Sequence, residues 1–131
     1  MLKILLVEDN PADIALTMNA LRGFSSGVEL YTANDGEYAL EMLGQPDFKP
    51  DLIILDLNLP RVDGHTVLER FHRSDIPVVI FSSSGDQGEI QRALSLGARD
   101  CVRKPIGLQP FTDAVCGIVS RWLPHRAASI A

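Results

Sequence analysis

The sequence predicts a doubly wound α/β fold, in which a five-stranded parallel sheet is flanked by five helices. Two observations lead to this prediction. First, five short apolar runs alternate with five segments of helical periodicity. Second, several of these runs are apolar at nearly every position, as in strands that a parallel sheet buries on both faces. Strands that alternate with helices form such a sheet through right-handed crossovers.

Length and composition fit one globular domain. The chain has 131 residues, of which 46% are hydrophobic and 22% charged, and we expect a domain at residues 1–123 with a short C-terminal tail at 124–131. The net charge of -5 predicts no direct binding of nucleic acid. No apolar run approaches the roughly 20 residues of a membrane helix, and no signal-peptide pattern is present, so we expect no membrane partner. Cys101 and Cys116 suggest reduced thiols in a cytoplasmic protein.

The first strand, at Leu2–Val7, precedes a helix from Pro11 to about Arg22. Pro11 suits the first turn, Asn10 suits the cap, and Asp13 places a negative charge at the positive end of the helix dipole. The apolar residues of this helix cover more than one stripe. They indicate either deep burial or a docking face for a partner helix, and we interpret them as deep burial.

The second strand, Val28–Ala33, alternates apolar and polar residues, which is typical of a strand near a sheet edge. A turn at Asn34–Gly36 starts the second helix, which ends at Gly44 to Pro46. The third strand lies in the segment Asp51–Pro60, and its run of Leu and Ile predicts that it is buried on both faces.

The second half of the chain continues this alternation. The predicted elements are a helix from about His65 to Arg73, a strand at Pro77–Phe81, a helix of about Gln87 to Leu96, a strand at Cys101–Arg103 and a helix from about Gln109 to Leu123. The three histidines lie away from the strand ends, and we interpret them as surface or helix-end residues: His65, His72 and His125.

Polar side chains follow four of the five strands, at the edge where ligands bind in open α/β sheets. Glu8 and Asp9 follow the first strand, Asp56 the third, Ser82 the fourth and Lys104 the fifth. Each has a structural explanation when it is taken alone, as a charge near a helix terminus, a cap or a solvated surface charge. Their joint placement at one edge points to chemistry instead.

Carboxylates forced together repel one another unless a cation neutralises them, and oxygen ligands favour Mg²⁺ or Mn²⁺. Asp9 and Asp56 are the candidate direct ligands. With the metal on one side and Lys104 on the other, an oxygen of Asp56 could attack a phosphoryl group in line, which predicts an aspartyl phosphate. Ser82 is the candidate hydroxyl that is drawn toward that phosphoryl group.

These motifs resemble the receiver domain of bacterial two-component response regulators. The resemblance rests on Leu6–Asn10, Leu55–Pro60 with Asp63-Gly64, Ser82, and Lys104-Pro105, in that order along the chain. It implies a flavodoxin-like (CheY-like) fold, a sensor histidine kinase as partner, and Asp56 as the phosphoacceptor.

The resemblance also implies roles for the other residues of the site. Asp9, Asp56 and the backbone carbonyl of Asn58 would bind Mg²⁺, with Glu8 acting through water. Lys104 would contact the phosphoryl group, and Ser82 would move to it in the active state.

The segment Asn10–Ile14 and the tryptophan near the end are similar to small stand-alone regulators that are paired with phytochrome-type histidine kinases. Such a regulator would act through a downstream protein, and we expect a homodimer through the last two helices and the fifth strand. One departure from the family pattern is Cys101, at a position that is usually aromatic. Aromatic switching is therefore not expected here, and we interpret Cys101 as a packing residue. Ser84 is a candidate to lie near the attacking water.

Two other readings remain. The first alternative is a haloacid-dehalogenase-like phosphatase, which also uses a strand-end Asp with Mg²⁺. Such an enzyme needs a second Asp two residues on for proton transfer. This chain has Asn58 at that position, which cannot titrate, so the sequence disfavours this alternative. The second alternative is an interaction module that has the fold but is not phosphorylated. Such a module would not need the full set of polar residues at the strand ends, so their presence argues against it.

Overall fold

The computed structural model describes residues 2–24, 27–71, 73 and 75–123. All five strands are parallel and follow the order β2-β1-β3-β4-β5. They are β1 (Leu2–Val7), β2 (Val28–Ala33), β3 (Leu52–Leu55), β4 (Val78–Ser82) and β5 (Asp100–Arg103). This order confirms the predicted flavodoxin-like fold and puts the topological switch point between β1 and β3.

Five helices connect the strands: α1 (Pro11–Leu21), α2 (Gly36–Leu43), α3 (Gly64–Arg70), α4 (Gln87–Ser95) and α5 (Leu108–Trp122). Their ends lie close to the predicted ones except in α3, which ends three residues before the predicted Arg73. The helix stops there because Phe71 adopts an extended backbone, with φ -100° and ψ 110°.

The sheet separates two hydrophobic clusters, because successive side chains of a strand point to opposite faces. Ile4, Leu6 and Ile54 face the cluster that α1 and α5 cover. Leu5 and Ile53 face the cluster that α2, α3 and α4 cover. Every residue of β3 is buried, as predicted, whereas β2 is mostly half-buried at its edge position.

Burial of α1 differs from the prediction. Thr17, Ala20 and Leu21 are buried, but Ile14 is only partly buried and Met18 is 44% exposed. The expectation of deep burial was therefore wrong. The helix lies in the outer layer, where the sheet and α5 cover one side of it and leave the remainder open to solvent.

His65 lies in the first turn of α3, as expected for a helix-end residue, but it is buried rather than on the surface. Its Nε2 lies 2.9 Å from the backbone oxygen of Glu89 in α4. The contact between these two helices excludes water from the imidazole. His72, His125 and the predicted tail at 124–131 lie outside the described residues. Within the part that is described, no helix has the length and apolar character needed to cross a membrane.

Candidate functional site

The Lys104 side chain lies at the centre of a carboxylate cluster at the carboxyl edge of the sheet. Its Nζ lies 2.5 Å from Glu8 Oε1, 2.9 Å from Asp13 Oδ2 and 3.0 Å from Asp56 Oδ2. An ammonium group has three N–H donors, so each carboxylate accepts one of them. The Lys104 side chain is 9% exposed, which shields these ion pairs from solvent.

Strand pairing brings these residues together because the backbone ladder continues past the ends of the strands. Val7 pairs with Leu55 at the last position of the β1–β3 register, and the Asp56 N–H donates to the Val7 carbonyl at 3.0 Å. At the other side of the site, the Lys104 N–H donates to the Ser82 carbonyl at 2.8 Å. The Asp56 carboxylate and the Lys104 ammonium therefore both lie at the carboxyl edge of the sheet.

Three carboxylates form a group that could hold a metal ion. One oxygen from each of Glu8, Asp9 and Asp56 lies within 4.8 Å of the others. Glu8 and Asp56 are buried and Asp9 is exposed, so the group opens to solvent on one side. An all-oxygen donor set of this charge fits a hard divalent cation such as Mg²⁺ or Mn²⁺.

Burial and charge shift the pKa values of two groups in the site. Burial of Glu8, together with the nearby Asp56 charge, outweighs the hydrogen bond from Lys104 and raises the pKa of Glu8 from 4.5 to about 7. Burial acts to lower the pKa of Lys104, but the hydrogen bonds to Glu8 and Asp13 and the charge of Asp56 outweigh it and raise that pKa. Lys104 therefore stays positively charged, whereas ionisation of the Glu8 carboxyl group is unfavourable in the absence of a metal.

The loop after β3 orients the Asp56 side chain. The Asn58 N–H donates to Asp56 Oδ1 at 3.2 Å, so one carboxylate oxygen faces this loop and the other faces Lys104. Gly64, the first residue of α3, donates its N–H to the Leu57 carbonyl at 3.0 Å and thereby anchors the loop. Asn58 itself is exposed.

The segment after β4 carries the predicted hydroxyl. Ser82 is 2% exposed, and its Oγ accepts a hydrogen bond from the Ser84 N–H at 3.4 Å. The Ser84 hydroxyl donates to Glu89 Oε1 at 3.1 Å and is thus oriented toward α4. Cys101 lies with Ser82 in the wall of a cavity of about 200 Å³. Burial and the nearby Asp100 charge raise the pKa of the Cys101 thiol.

Asp13 is the site residue that sequence reasoning missed. Its position in the sequence predicts a charge that stabilises the start of α1, whereas in the structure its carboxylate contacts Lys104. The sequence contained a signal for it. A helix that begins four residues after a site strand places its first turn beside the site, so a carboxylate in that turn can reach the ligand pocket.

A response regulator receiver domain model matches residues 4–116. The response regulator Rcp1 of Synechocystis is 34% identical over 129 residues, which are 92% of this chain and 88% of Rcp1. The structure of the phosphorylated cyanobacterial phytochrome response regulator RcpA superimposes with a TM-score of 0.87 at 37% identity, covering 92% of each chain. The Mn²⁺-bound form of Rcp1 also gives a TM-score of 0.87, at 33% identity, and covers 94% of this chain and 95% of that one.

Proposed function

This chain belongs to the response regulator receiver domain family, and we propose that it is a single-domain response regulator that accepts a phosphoryl group on Asp56 from a sensor histidine kinase. The observation that carries the proposal is the 3.0 Å contact between Lys104 Nζ and Asp56 Oδ2, beside the acidic group of Glu8 and Asp9. We place the receiver domain at residues 1–123.

In the proposed reaction, a carboxylate oxygen of Asp56 attacks the phosphorus of a phosphohistidine. The new O–P bond forms as the P–N bond breaks, and the histidine nitrogen leaves with the electron pair. Lys104 stabilises the negative charge that the phosphoryl oxygens carry. Mg²⁺ or Mn²⁺, held by Asp9, Asp56, the Asn58 carbonyl and Glu8 through water, would neutralise the clustered carboxylates and the phosphoryl charge.

Ser82 is the proposed sensor of phosphorylation. Its hydroxyl accepts a hydrogen bond from Ser84 in the loop after β4, so a move toward a phosphoryl group on Asp56 would release that loop. The cavity that Ser82 and Cys101 line offers room for the rearrangement without an aromatic side chain. The signal would then pass through the loop into α4.

The similarity to Rcp1 and RcpA supports a phytochrome-type histidine kinase as the partner. We propose that the phosphorylated protein acts in the cytoplasm on a downstream protein, and that it forms a homodimer through α4, β5 and α5. Asn58 carries an amide where a haloacid-dehalogenase-like phosphatase needs an acid, so the proposed activity is phosphoacceptance rather than substrate turnover.

Incubation with acetyl phosphate and Mg²⁺ tests the phosphoacceptor role. We expect the mass of the native protein to increase by one phosphoryl group, and the increase to disappear in Asp56→Asn and when EDTA replaces Mg²⁺. Asp75→Asn is the matched control, because Asp75 is an exposed aspartate that pairs with Arg73. No mass increase in the native protein, or an increase that persists in Asp56→Asn, would refute the role.

Light scattering tests the dimer separately. We expect a larger average mass when a phosphoryl mimic such as beryllofluoride is added with Mg²⁺. An unchanged monomer under both conditions would show that this part of the proposal is wrong while leaving the phosphoacceptor role intact.

A further inference from the structure

Asp13 is one of three carboxylates that hold the Lys104 ammonium, and it differs from the other two in its position. Glu8 and Asp56 stand at strand ends, whereas Asp13 reaches the ammonium from the first turn of α1. Its side chain is 22% exposed, compared with 3% for Glu8 and 8% for Asp56. Asp13 therefore forms the outer wall of the lysine site.

The two inner carboxylates have a second use. Among the described residues, the acidic group that could hold a metal ion comprises Glu8, Asp9 and Asp56 and does not include Asp13. A bound cation would thus compete with Lys104 for Glu8 and Asp56. Asp13 is the partner of Lys104 for which the cation does not compete.

The backbone around Asp13 holds its carboxylate in place. The Asn10 side chain accepts hydrogen bonds from the N–H groups of Ala12 and Asp13, and the Thr17 hydroxyl donates to the Asp13 carbonyl at 2.8 Å. Because α1 packs against α5 and the sheet, this first turn is a fixed point from which the carboxylate can orient a flexible lysine.

We propose that Asp13 is a positioning residue of the phosphorylation site: it draws the Lys104 ammonium toward α1 and so leaves Glu8 and Asp56 available to the metal ion. This inference rests on the proposed function for its role in phosphotransfer. When Asp13 is absent, Glu8 and Asp56 are the carboxylates among the described residues that still contact the ammonium. The metal must then displace it from both carboxylates, and Lys104 is less well aligned with the phosphoryl group.

A simpler explanation is that Asp13 only stabilises the start of its helix. Glu37 provides the matched comparison, because it is also an acidic residue in the first turn of a helix, α2, and it contacts Arg61 rather than Lys104. Asp13→Asn and Glu37→Gln each remove one carboxylate from a helix N-terminus. Of the two substitutions, only Asp13→Asn removes a carboxylate that contacts Lys104.

The first measurement is the affinity for Mn²⁺ by calorimetry, which requires no phosphorylation. We expect Asp13→Asn to bind about fivefold more weakly than the native protein, since a partly shielded charged hydrogen bond contributes on this order. Glu37→Gln should stay within about twofold. Equal affinities of the two variants would overturn the proposal.

A double-mutant cycle separates an effect through Lys104 from a general loss of negative charge. In a Lys104→Met background the ammonium is absent, so Asp13→Asn should change the affinity for Mn²⁺ by less than about twofold. If the fivefold effect persisted in that background, Asp13 would act directly on the metal and the proposal would be wrong.

The second measurement is the initial rate of phosphorylation by acetyl phosphate at saturating Mg²⁺. We expect about a tenfold lower rate for Asp13→Asn and a native rate for Glu37→Gln. A native rate for Asp13→Asn would refute its role in phosphotransfer while Asp56 remained the acceptor. If the native protein itself were not phosphorylated, the proposed function would fail, and the calorimetric cycle would still decide whether Asp13 holds Lys104.

Discussion

Gly64 lies against the backbone of Asp56 so closely that a Cβ at Gly64 would be 2.5 Å from the Asp56 carbonyl oxygen. The same Cβ would be 2.7 Å from the Leu57 Cα. Both obstacles are backbone atoms, which cannot move aside as a flexible side chain can. The start of α3 and the strand end that carries the candidate phosphoacceptor therefore form one packed unit.

Gly64→Ala should destabilise the protein by about 2 kcal/mol or more, because the backbone after β3 must shift to admit the methyl group. Urea denaturation followed by circular dichroism measures the loss. Gly117→Ala is the control. Gly117 lies in α5, and among the described residues no atom outside the neighbouring backbone of α5 lies within 4 Å of its would-be Cβ, so alanine there should add about 0.5–1 kcal/mol of stability. Similar effects at the two positions would contradict the packing described.

The raised pKa of Glu8 predicts that stability depends on pH in the absence of metal. The folded state raises this pKa from 4.5 to about 7, so it binds a proton more tightly than the unfolded chain. The stabilisation is fully present below pH 4.5 and is lost as the pH rises to about 7. In EDTA, this contribution to the free energy of unfolding should fall over that range by up to about 3 kcal/mol.

Glu8→Gln isolates this contribution because the amide resembles the protonated acid. The variant should be more stable than the native protein at pH 8 in EDTA, and the difference should vanish well below pH 4.5, where native Glu8 is protonated in both states. A difference that stayed constant between these pH values would show that ionisation of Glu8 is not its cause.

Arg61 has a positive φ of 66° in the loop between β3 and α3, a conformation that favours glycine. Its exposed guanidinium pairs with Asp35 at 3.8 Å and Glu37 at 3.5 Å, contacts that contribute little in water. Both Arg61→Gly and Arg61→Ala remove these ion pairs, but only glycine relieves the backbone strain of the positive φ. Arg61→Gly should therefore be more stable than Arg61→Ala by about 1 kcal/mol in thermal or urea unfolding. The opposite order would rule out strain at this position.

Both cysteines should react slowly with iodoacetamide. Burial raises the pKa of the Cys101 and Cys116 thiols, aided by the charges of Asp100 and Asp113, and only the thiolate is alkylated. Mass spectrometry at pH 8 should show slower modification in the folded protein than in the same protein unfolded in urea. Equal rates in the two states would mean that the fold does not protect these thiols.

Local sequence patterns were sufficient for the fold because each strand and helix has its own periodicity and end signals. Asn10, Asp35, Asp63 and Asp86 cap their helices through the side-chain hydrogen bonds that their residue types favour. The one clear error in helix length, at the end of α3, occurred where no glycine or proline marks the stop. The backbone becomes extended at Phe71, and the residue types around that position do not predict this change.

The strand pattern was enough to predict that Glu8, Asp9, Asp56 and Lys104 share an edge, because parallel strands carry their ends to the same side of a sheet. Which of these groups are in contact depends on the packing of the folded chain. The contact between Asp13 and Lys104 joins residues 91 positions apart, and His65 is buried by a helix that begins more than 20 residues later. Such contacts depend on how helices pack over a sheet, and that packing minimises the free energy of the whole chain rather than of any one segment.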